Sequence, residues 1–116
     1  MFSSKNRLRK KNDIDNVFKK GKTAAGNFVF LRFANNNLNE NRFAFVVSLK
    51  VSKKSVLRNR IKRQLREIIK KINLELKPGF DFLIIARPII INKNFQEITK
   101  DINEIFNLKI NKIISK

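Results

Sequence analysis

Five cationic side chains fall within nine consecutive residues near the middle of this sequence, Arg58-Asn59-Arg60-Ile61-Lys62-Arg63-Gln64-Leu65-Arg66. The spacing of the apolar residues predicts that an amphipathic helix begins here. The N-terminal end of a helix carries the positive pole of its dipole, so cations there are unfavourable for folding. A bound phosphate would remove this conflict, because the amide groups, the dipole and the guanidinium groups would all face an anion.

The cations of this segment also follow a helical spacing. One ridge repeats every fourth residue and consists of Arg58, Lys62, Arg66 and Lys70. Charged helix faces are usually solvated surfaces that mix both signs, whereas Glu67 is the only acidic residue in 51–73. We therefore favour nucleic-acid binding over solubility as the reason for the charge.

Composition supports this interpretation. The chain has 116 residues, 27 Lys and Arg, 9 Asp and Glu, and a formal net charge of +18, which implies a polyanionic partner or an anionic membrane surface. The hydrophobic fraction of 42% is sufficient for a single folded domain over residues 1–116. No apolar run approaches the roughly 18–20 residues that span a bilayer, and residues 1–11 lack the apolar centre of a secretory signal. We expect a cytoplasmic protein without a membrane partner.

The same composition argues against protein-based catalysis. Cysteine and histidine are absent, which removes thiolate chemistry and the side chain best suited to general base catalysis near neutral pH. The carboxylates include no pair whose spacing marks a magnesium site. We expect no catalytic residue, no metal ligand and no cofactor bound by the protein.

The apolar pattern predicts an α+β domain with helices packed on one sheet. Residues 1–11 are expected to form a mobile basic arm. Helices are predicted from an Asn12 cap to Gly21, over 56–76, and from Asn94 with a capping-box Glu97 and a stripe that reaches Ile113. Strands are predicted over 27–33, 42–51 and 80–86, with a short extra strand near 23–25. The Asn-rich segment 35–41 is predicted to be a hairpin loop between the first two long strands.

The segment Val51-Ser52-Lys53-Lys54-Ser55-Val56-Leu57-Arg58-Asn59-Arg60-Ile61-Lys62-Arg63 resembles the signature of the bacterial ribonuclease P protein subunit, with its Arg-Asn-Arg motif. The resemblance extends over nearly the whole chain. It includes Leu8–Gly21, Phe28–Phe33, Arg42–Lys50 and Asp81–Arg87.

The resemblance implies a two-layer α-β sandwich in the order α-β-β-(β)-α-β-α. It also implies a left-handed βαβ crossover, like that in the second domain of a ribosomal protein, whereas physical reasoning alone would favour a right-handed crossover. The implied function is that of a non-catalytic subunit of an endoribonuclease that matures the 5′ ends of tRNA. Such a subunit binds the catalytic RNA and the single-stranded 5′ leader of precursor tRNA. The RNA performs the hydrolysis with magnesium, and no protein partner is required.

The resemblance also implies site residues. The implied RNA contacts are Lys53, Lys54, Arg58, Asn59, Arg60, Lys62, Arg63 and Arg66. The implied leader cleft consists of Phe18, Val29 and Leu31, with Lys62 and Arg66 at its edge and Ile14 and Phe33 as further candidates. Unpaired bases suit such a site because they stack on apolar surfaces while cations follow the backbone. The competing interpretation of Phe18, Val29 and Leu31 is packing in the core.

Two other functions remain open. A ribosomal protein or a general RNA chaperone would explain the charge and the size, but not the Arg58-Asn59-Arg60 motif in its surroundings. A protein-only nuclease would require acid–base chemistry that the composition does not provide.

Overall fold

A four-stranded sheet with three helices forms the centre of the molecule. The computed structural model describes residues 4–110. The strands are β1 (Lys22–Ala25), β2 (Val29–Asn35), β3 (Arg42–Val46) and β4 (Phe80–Ala86). The helices are α1 (Lys11–Lys20), α2 (Ser55–Asn73) and α3 (Phe95–Glu104). Short 3₁₀ helices occupy Ser4–Asn6 and Pro88–Asn92, and Ile105–Lys109 continues α3 as a π-helical turn. Among these residues, no helix combines the length and apolarity that crossing a bilayer requires.

The last strand in sequence lies inside the sheet. The spatial order is β1-β2-β4-β3, with β4 antiparallel to β2 and parallel to β3. The predicted hairpin over 35–41 is therefore wrong, because β4 separates the two strands that it was expected to pair. β4 is apolar along most of its length and buried on both faces, and a central position is the one that provides such burial. The α+β class and the element order are confirmed, and β3, α2 and β4 form the parallel βαβ crossover.

Helices cover both faces of the sheet. On one face, Leu31, Phe82 and Phe43 share a core with Ile61 of α2 and Ile102 of α3. On the other face, a smaller cluster joins the α1 side to β4, and its buried members are Leu8, Val17 and Leu83. The α2–α3 layer and the sheet thus form the predicted sandwich, and α1 adds partial cover on the opposite face.

The ends of α1 differ in detail from the prediction. The helix begins at Lys11 with Lys10 at the cap position and without a side-chain cap bond, so the predicted Asn12 cap is wrong. The helix ends before Gly21 as predicted, but the Gly21 backbone is extended, with φ −74°. Glycine is required there for space, because a Cβ would lie 2.2 Å from the Val17 carbonyl oxygen.

The predicted second strand is too long, whereas the start of α3 is as predicted. β3 ends at Val46, because the chain turns over 48–51, where the Val51 amide donates to the Ser48 carbonyl at 3.0 Å. At α3 the Asn94 side chain accepts from the Glu97 amide, and the Glu97 side chain accepts from the Asn94 amide, so the capping box is confirmed. Ile113, the predicted end of the apolar stripe, lies outside the described residues.

Residues 4–10, predicted to belong to a mobile arm, lie against the edge of the sheet. The Leu8 amide donates to the Phe43 carbonyl at 2.9 Å, and Asn6 Nδ2 donates to the Asn41 carbonyl at 2.8 Å. Leu8 is only 4% exposed. Burial of this one apolar side chain among cations holds the segment on β3. Residues 1–3 of the predicted arm lie outside the described part of the chain.

A partly buried ion pair joins β3 to β4. Arg42 donates from Nε and Nη2 to both carboxylate oxygens of Asp81, at 2.8 and 2.7 Å. Arg42 Nη1 also donates to Asp13 at 3.2 Å, which ties the first turn of α1 to the sheet. The hydrogen bond with Asp81 raises the pKa of Arg42 above its usual value. Asp81 belongs to the central strand β4, so this pair lies within the sheet.

Asp101 of α3 organises the β1–β2 connection. Its buried carboxylate accepts from the backbone amides of Asn27, Phe28 and Val29, at 2.7, 2.8 and 3.3 Å. Gly26 is needed at the same place, since a Cβ there would lie 2.8 Å from Asp101 Oδ2 and 2.6 Å from Ile105 Cδ1. The helix and the turn therefore depend on each other.

We expect Asp101→Ala to lower the free energy of unfolding by about 3 kcal/mol, because each buried donor left unpaired costs about 1–3 kcal/mol. Urea denaturation measures the change. Glu104→Ala, an exposed position on the same helix, should change it by no more than about 0.5 kcal/mol. Equal effects of the two substitutions would contradict the role assigned to Asp101.

Candidate nucleic-acid interface

The solvent side of α2 carries most of the predicted RNA contacts. The helix buries Ile61, Leu65, Ile68 and Ile69 against the sheet. This packing leaves Arg58 and Lys62 half-buried at the flank of the helix, and it exposes Asn59, Arg60, Arg63 and Arg66. Lys53 and Lys54 are exposed in the turn that precedes α2. The predicted residues are thus contiguous, on one helix and its leading turn. We call this set of eight residues the α2 surface.

The two arginines of the Arg-Asn-Arg motif have different surroundings. Arg58 Nη1 donates to the Ser52 carbonyl at 2.9 Å and so holds the turn that leads into α2. Arg60 is exposed and lies about 200° further around the helix, since each residue advances by about 100°. Arg58 therefore positions the start of the helix, whereas the guanidinium of Arg60 faces solvent.

The start of α2 has no acidic side chain of its own. The N-cap residue Lys54 makes no side-chain cap bond, and the first turn contains no acidic residue. The three ion pairs found within residues 4–110 all lie outside α2. The cations of the α2 surface thus lack carboxylate partners from the described part of the chain, which leaves them available for phosphate.

The strand residues predicted for the leader cleft lie in the core. Val29 and Leu31 are 0% exposed and Phe33 is 4% exposed, all packed under α2 and α3. These side chains cannot contact a ligand, so their assignment to the cleft is wrong. Ile14 and Phe18 belong to α1, on the opposite face of the sheet, where Ile14 is half-buried and Phe18 is 48% exposed.

The face of the sheet near α1 carries an apolar row that crosses three strands. Phe30 of β2 is opposite Ile85 of β4, which is opposite Val46 of β3. The guanidinium of Arg87 lies 5.7 Å from the centroid of the Phe30 ring. We call Phe18, Phe30, Val46, Ile85 and Arg87 the α1 surface. Its strand residues were missed in the sequence, although Arg32, two residues from Phe30, is a polar residue that distinguishes this face of β2.

Arg32 connects the α1 surface to the end of α1. Its Nη2 donates to the carbonyls of Phe18 and Gly21, at 2.5 and 3.0 Å, and its Nη1 donates to Thr23 Oγ1 at 2.6 Å. A guanidinium at this end of a helix satisfies the last carbonyls and opposes the dipole. Arg32 thereby fixes the position of Phe18 relative to the sheet.

The two buried carboxylates are used for contacts within the protein. Asp81 is paired with Arg42 and Asp101 accepts three amides. Within residues 4–110, no three metal-ligating side chains come together. The exposed cations of the α2 surface can bind polyanions, and the apolar row of the α1 surface can bind bases.

Sequence comparison places this geometry in context. Residues 2–109 match the family model of Ribonuclease P. The Ribonuclease P protein component of Syntrophomonas wolfei is 38% identical over 101 residues, 87% of this chain and 84% of that protein. The protein of the same name from a Pseudanabaena species is 36% identical over 106 residues, 90% of this chain and 91% of that protein.

Solved structures agree with the sequence relatives. A Staphylococcus aureus RNase P protein mutant with defective mRNA degradation activity matches with a TM-score of 0.83 at 28% identity, covering 93% of this chain and 89% of that chain. The RNase P protein from Thermotoga maritima matches with a TM-score of 0.78 at 27% identity, covering 89% of this chain and 97% of that chain.

We expect millimolar sulfate to stabilise the protein, because an anion bound to the native α2 surface relieves the repulsion among its cations. At ten times its dissociation constant, sulfate should add about 1.4 kcal/mol to the free energy of unfolding, measured by thermal melting against sodium chloride of equal ionic strength. Arg60→Ala/Arg63→Ala should lose most of this gain, and Lys22→Ala/Lys100→Ala should keep it. Identical melting temperatures in the two salts would contradict anion binding.

Proposed function

The chain belongs to the ribonuclease P protein family, and we propose that its α2 surface binds the catalytic RNA. We propose further that its α1 surface binds the leader of precursor tRNA. Membership makes the protein a component of ribonuclease P, with a role in tRNA processing and the RNase P RNA as its partner. Beyond membership, we propose that each surface binds a different RNA and that this binding takes place in the cytoplasm.

The observation that carries the proposal is the absence of carboxylate partners for the cations of α2 among the described residues. Arg60, Arg63 and Arg66 are exposed on one helix whose first turn contains no acid. Folded RNA presents phosphates at close spacing, and guanidinium groups bind them in a bidentate manner. Binding would release counterions, so that affinity falls steeply with salt.

The leader is assigned to the α1 surface by its chemistry. Phe18 and Phe30 offer aromatic rings, Ile85 and Val46 extend the apolar row, and Arg87 supplies a cation beside Phe30. Single-stranded RNA is bound by this combination of stacking platforms and nearby cations. The α1 surface thus replaces the buried Val29, Leu31 and Phe33 as the leader site.

Hydrolysis is assigned to the RNA subunit. The protein would hold the leader and the catalytic RNA in a fixed relation, and magnesium bound by that RNA would activate the attacking water and stabilise the departing oxygen. The chain contributes positioning and charge neutralisation, which lower the magnesium concentration that the RNA requires. It therefore has no catalytic residue in this proposal.

We expect Arg60→Ala to weaken binding to the cognate catalytic RNA about tenfold at moderate salt and to reduce the slope of log affinity against log salt by about 1. Filter binding over a salt series measures both quantities. Lys100→Ala removes the same charge from α3 and should change neither. Equal effects of the two substitutions would show that RNA affinity depends on the net charge of the protein and not on the position of Arg60.

The sequence left a ribosomal protein or a general RNA chaperone as the alternative, and family membership favours the ribonuclease P subunit over both. A ribosomal protein would sediment with ribosomal subunits, and a chaperone would bind many RNAs with similar affinity. The proposed subunit should instead raise leader removal by its cognate catalytic RNA at low magnesium. Failure to stimulate at physiological ionic strength would favour the alternative.

We expect Phe18→Ala to weaken holoenzyme affinity for precursor tRNA, because loss of a stacked base costs about 1–3 kcal/mol. The free energy of unfolding should change little, since Phe18 is half-exposed. Leu31→Ala should behave in the opposite way, with a loss of about 2–5 kcal/mol in stability. Equilibrium binding and urea denaturation of both variants separate the two roles, and an unchanged affinity of the Phe18 variant would remove it from the leader site.

A further inference from the structure

We propose that a basic groove across the outer edge of β3 binds the backbone of the precursor tRNA leader upstream of the α1 surface, with Arg7 and Arg9 as phosphate contacts. This inference rests on the proposed function and extends it to a segment of the chain that the Arg-Asn-Arg signature does not include. The groove has a volume of about 430 Å³. Its lining residues are Asn6, Arg7, Leu8, Arg9, Phe43, Ala44, Phe45, Lys62 and Arg66.

The geometry of residues 6–9 aims the two arginines at the groove. Arg7 pairs with Phe43 as an isolated parallel bridge, and the Leu8 amide donates to the Phe43 carbonyl. Alternate residues of an extended segment point to opposite sides. Because Leu8 is buried between α1 and the sheet, Arg7 and Arg9 both face outward, where they are exposed.

The groove concentrates positive charge from two distant parts of the chain. Arg7 and Arg9 form one wall, and Lys62 and Arg66 of α2 form the other. None of its lining residues is acidic, and none of these four cations takes part in an ion pair with a carboxylate of residues 4–110. Four like charges around one cavity favour a polyanionic strand, which neutralises them together.

The floor of the groove suits a single strand. Phe45 is half-buried, and the guanidinium carbon of Arg66 lies 5.9 Å from the centroid of its ring. An aromatic ring beside cations provides a stacking platform for an unpaired base. The bases of a duplex are paired with one another, so the aromatic floor favours a single-stranded segment over a helix of the catalytic RNA.

The groove is continuous with the α1 surface. The apolar row Phe30–Ile85–Val46 crosses the sheet and reaches β3 at its end. Ala44, on the same strand, packs with the cluster near α1, whereas Phe45 packs with the core under α2. A single strand of RNA bound in the groove would therefore run from the α1 face, over the edge of β3, to the flank of α2.

Holoenzyme reconstituted with Arg7→Ala/Arg9→Ala tests the inference with two precursor tRNAs. One has a leader of a single nucleotide, and the other has a leader of about ten nucleotides, within the usual site sizes for single strands. We expect the variant to bind the long-leader substrate about tenfold more weakly at low salt. The slope of log affinity against log salt should fall by about 1.4, since each contact to a single strand contributes about 0.7. Binding of the short-leader substrate should not change.

Two controls make the result specific. Lys22→Ala/Lys100→Ala removes the same charge from the opposite edge of the sheet and from α3, and it should leave both affinities unchanged. Arg7→Lys/Arg9→Lys should restore most of the salt slope, and unchanged binding of the short-leader substrate by the alanine variant excludes a folding defect as the cause.

Equal losses with long and short leaders would overturn the inference, and so would no loss with either. A wild-type holoenzyme that does not discriminate between the two leaders would instead contradict leader binding in the proposed function. The two failures are therefore distinguishable.

Discussion

The central position of β4 is the constraint on which the rest of the structure depends. β4 pairs with β2 on one side and with β3 on the other, and its side chains are buried on both faces. Burial on both faces requires cover from both sides, which α2 and α3 provide on one face and α1 on the other. The Arg42–Asp81 pair fixes β4 to β3 at one end of this strand. The α1 surface lies on one face of this sheet, and α2, which carries the α2 surface, packs on the other face.

Folding brings like charges close together. Their repulsion lowers the free energy of unfolding until an anionic partner binds. The formal charge is +18, and the carboxylates that the fold buries, Asp81 and Asp101, are used for internal contacts. The cations of the α2 surface and of the groove at β3 have no carboxylate partner among residues 4–110. Repulsion among them destabilises the compact state, and RNA phosphates relieve it. Stability and binding are therefore coupled through the same side chains.

Local patterns predicted the elements well. The bounds of β4, the capping box of α3 and the short strand β1 follow from composition, spacing and cap chemistry that act within a few residues. Strand neighbours depend on contacts far apart in sequence, which is why a hairpin was predicted across 35–41. The burial of Leu8 was missed for a related reason, because a single apolar residue among cations carries no periodicity.

The candidate site was predicted in part. The α2 surface was found because one helix carries it, so that helical spacing alone brings its cations together. The leader residues on β2 were assigned to the wrong face, since both faces of that strand are apolar and only tertiary packing decides which one α2 and α3 cover. Arg32 was the available indication, because its position on β2 identifies the face that borders α1 and not the core.

Tethered cleavage of the catalytic RNA tests most directly the claim that α2 binds this RNA. The chain contains no cysteine, so that a single introduced cysteine is the only thiol to which a probe attaches. A hydroxyl-radical source attached to Asn59→Cys on α2, or to Lys100→Cys on α3, reports which side of the protein faces the RNA. Strand breaks at a few discrete positions from residue 59, with little cleavage from residue 100, are the predicted result. Diffuse cleavage from residue 59, or the same pattern from both positions, would contradict the claim that α2 binds the ribozyme.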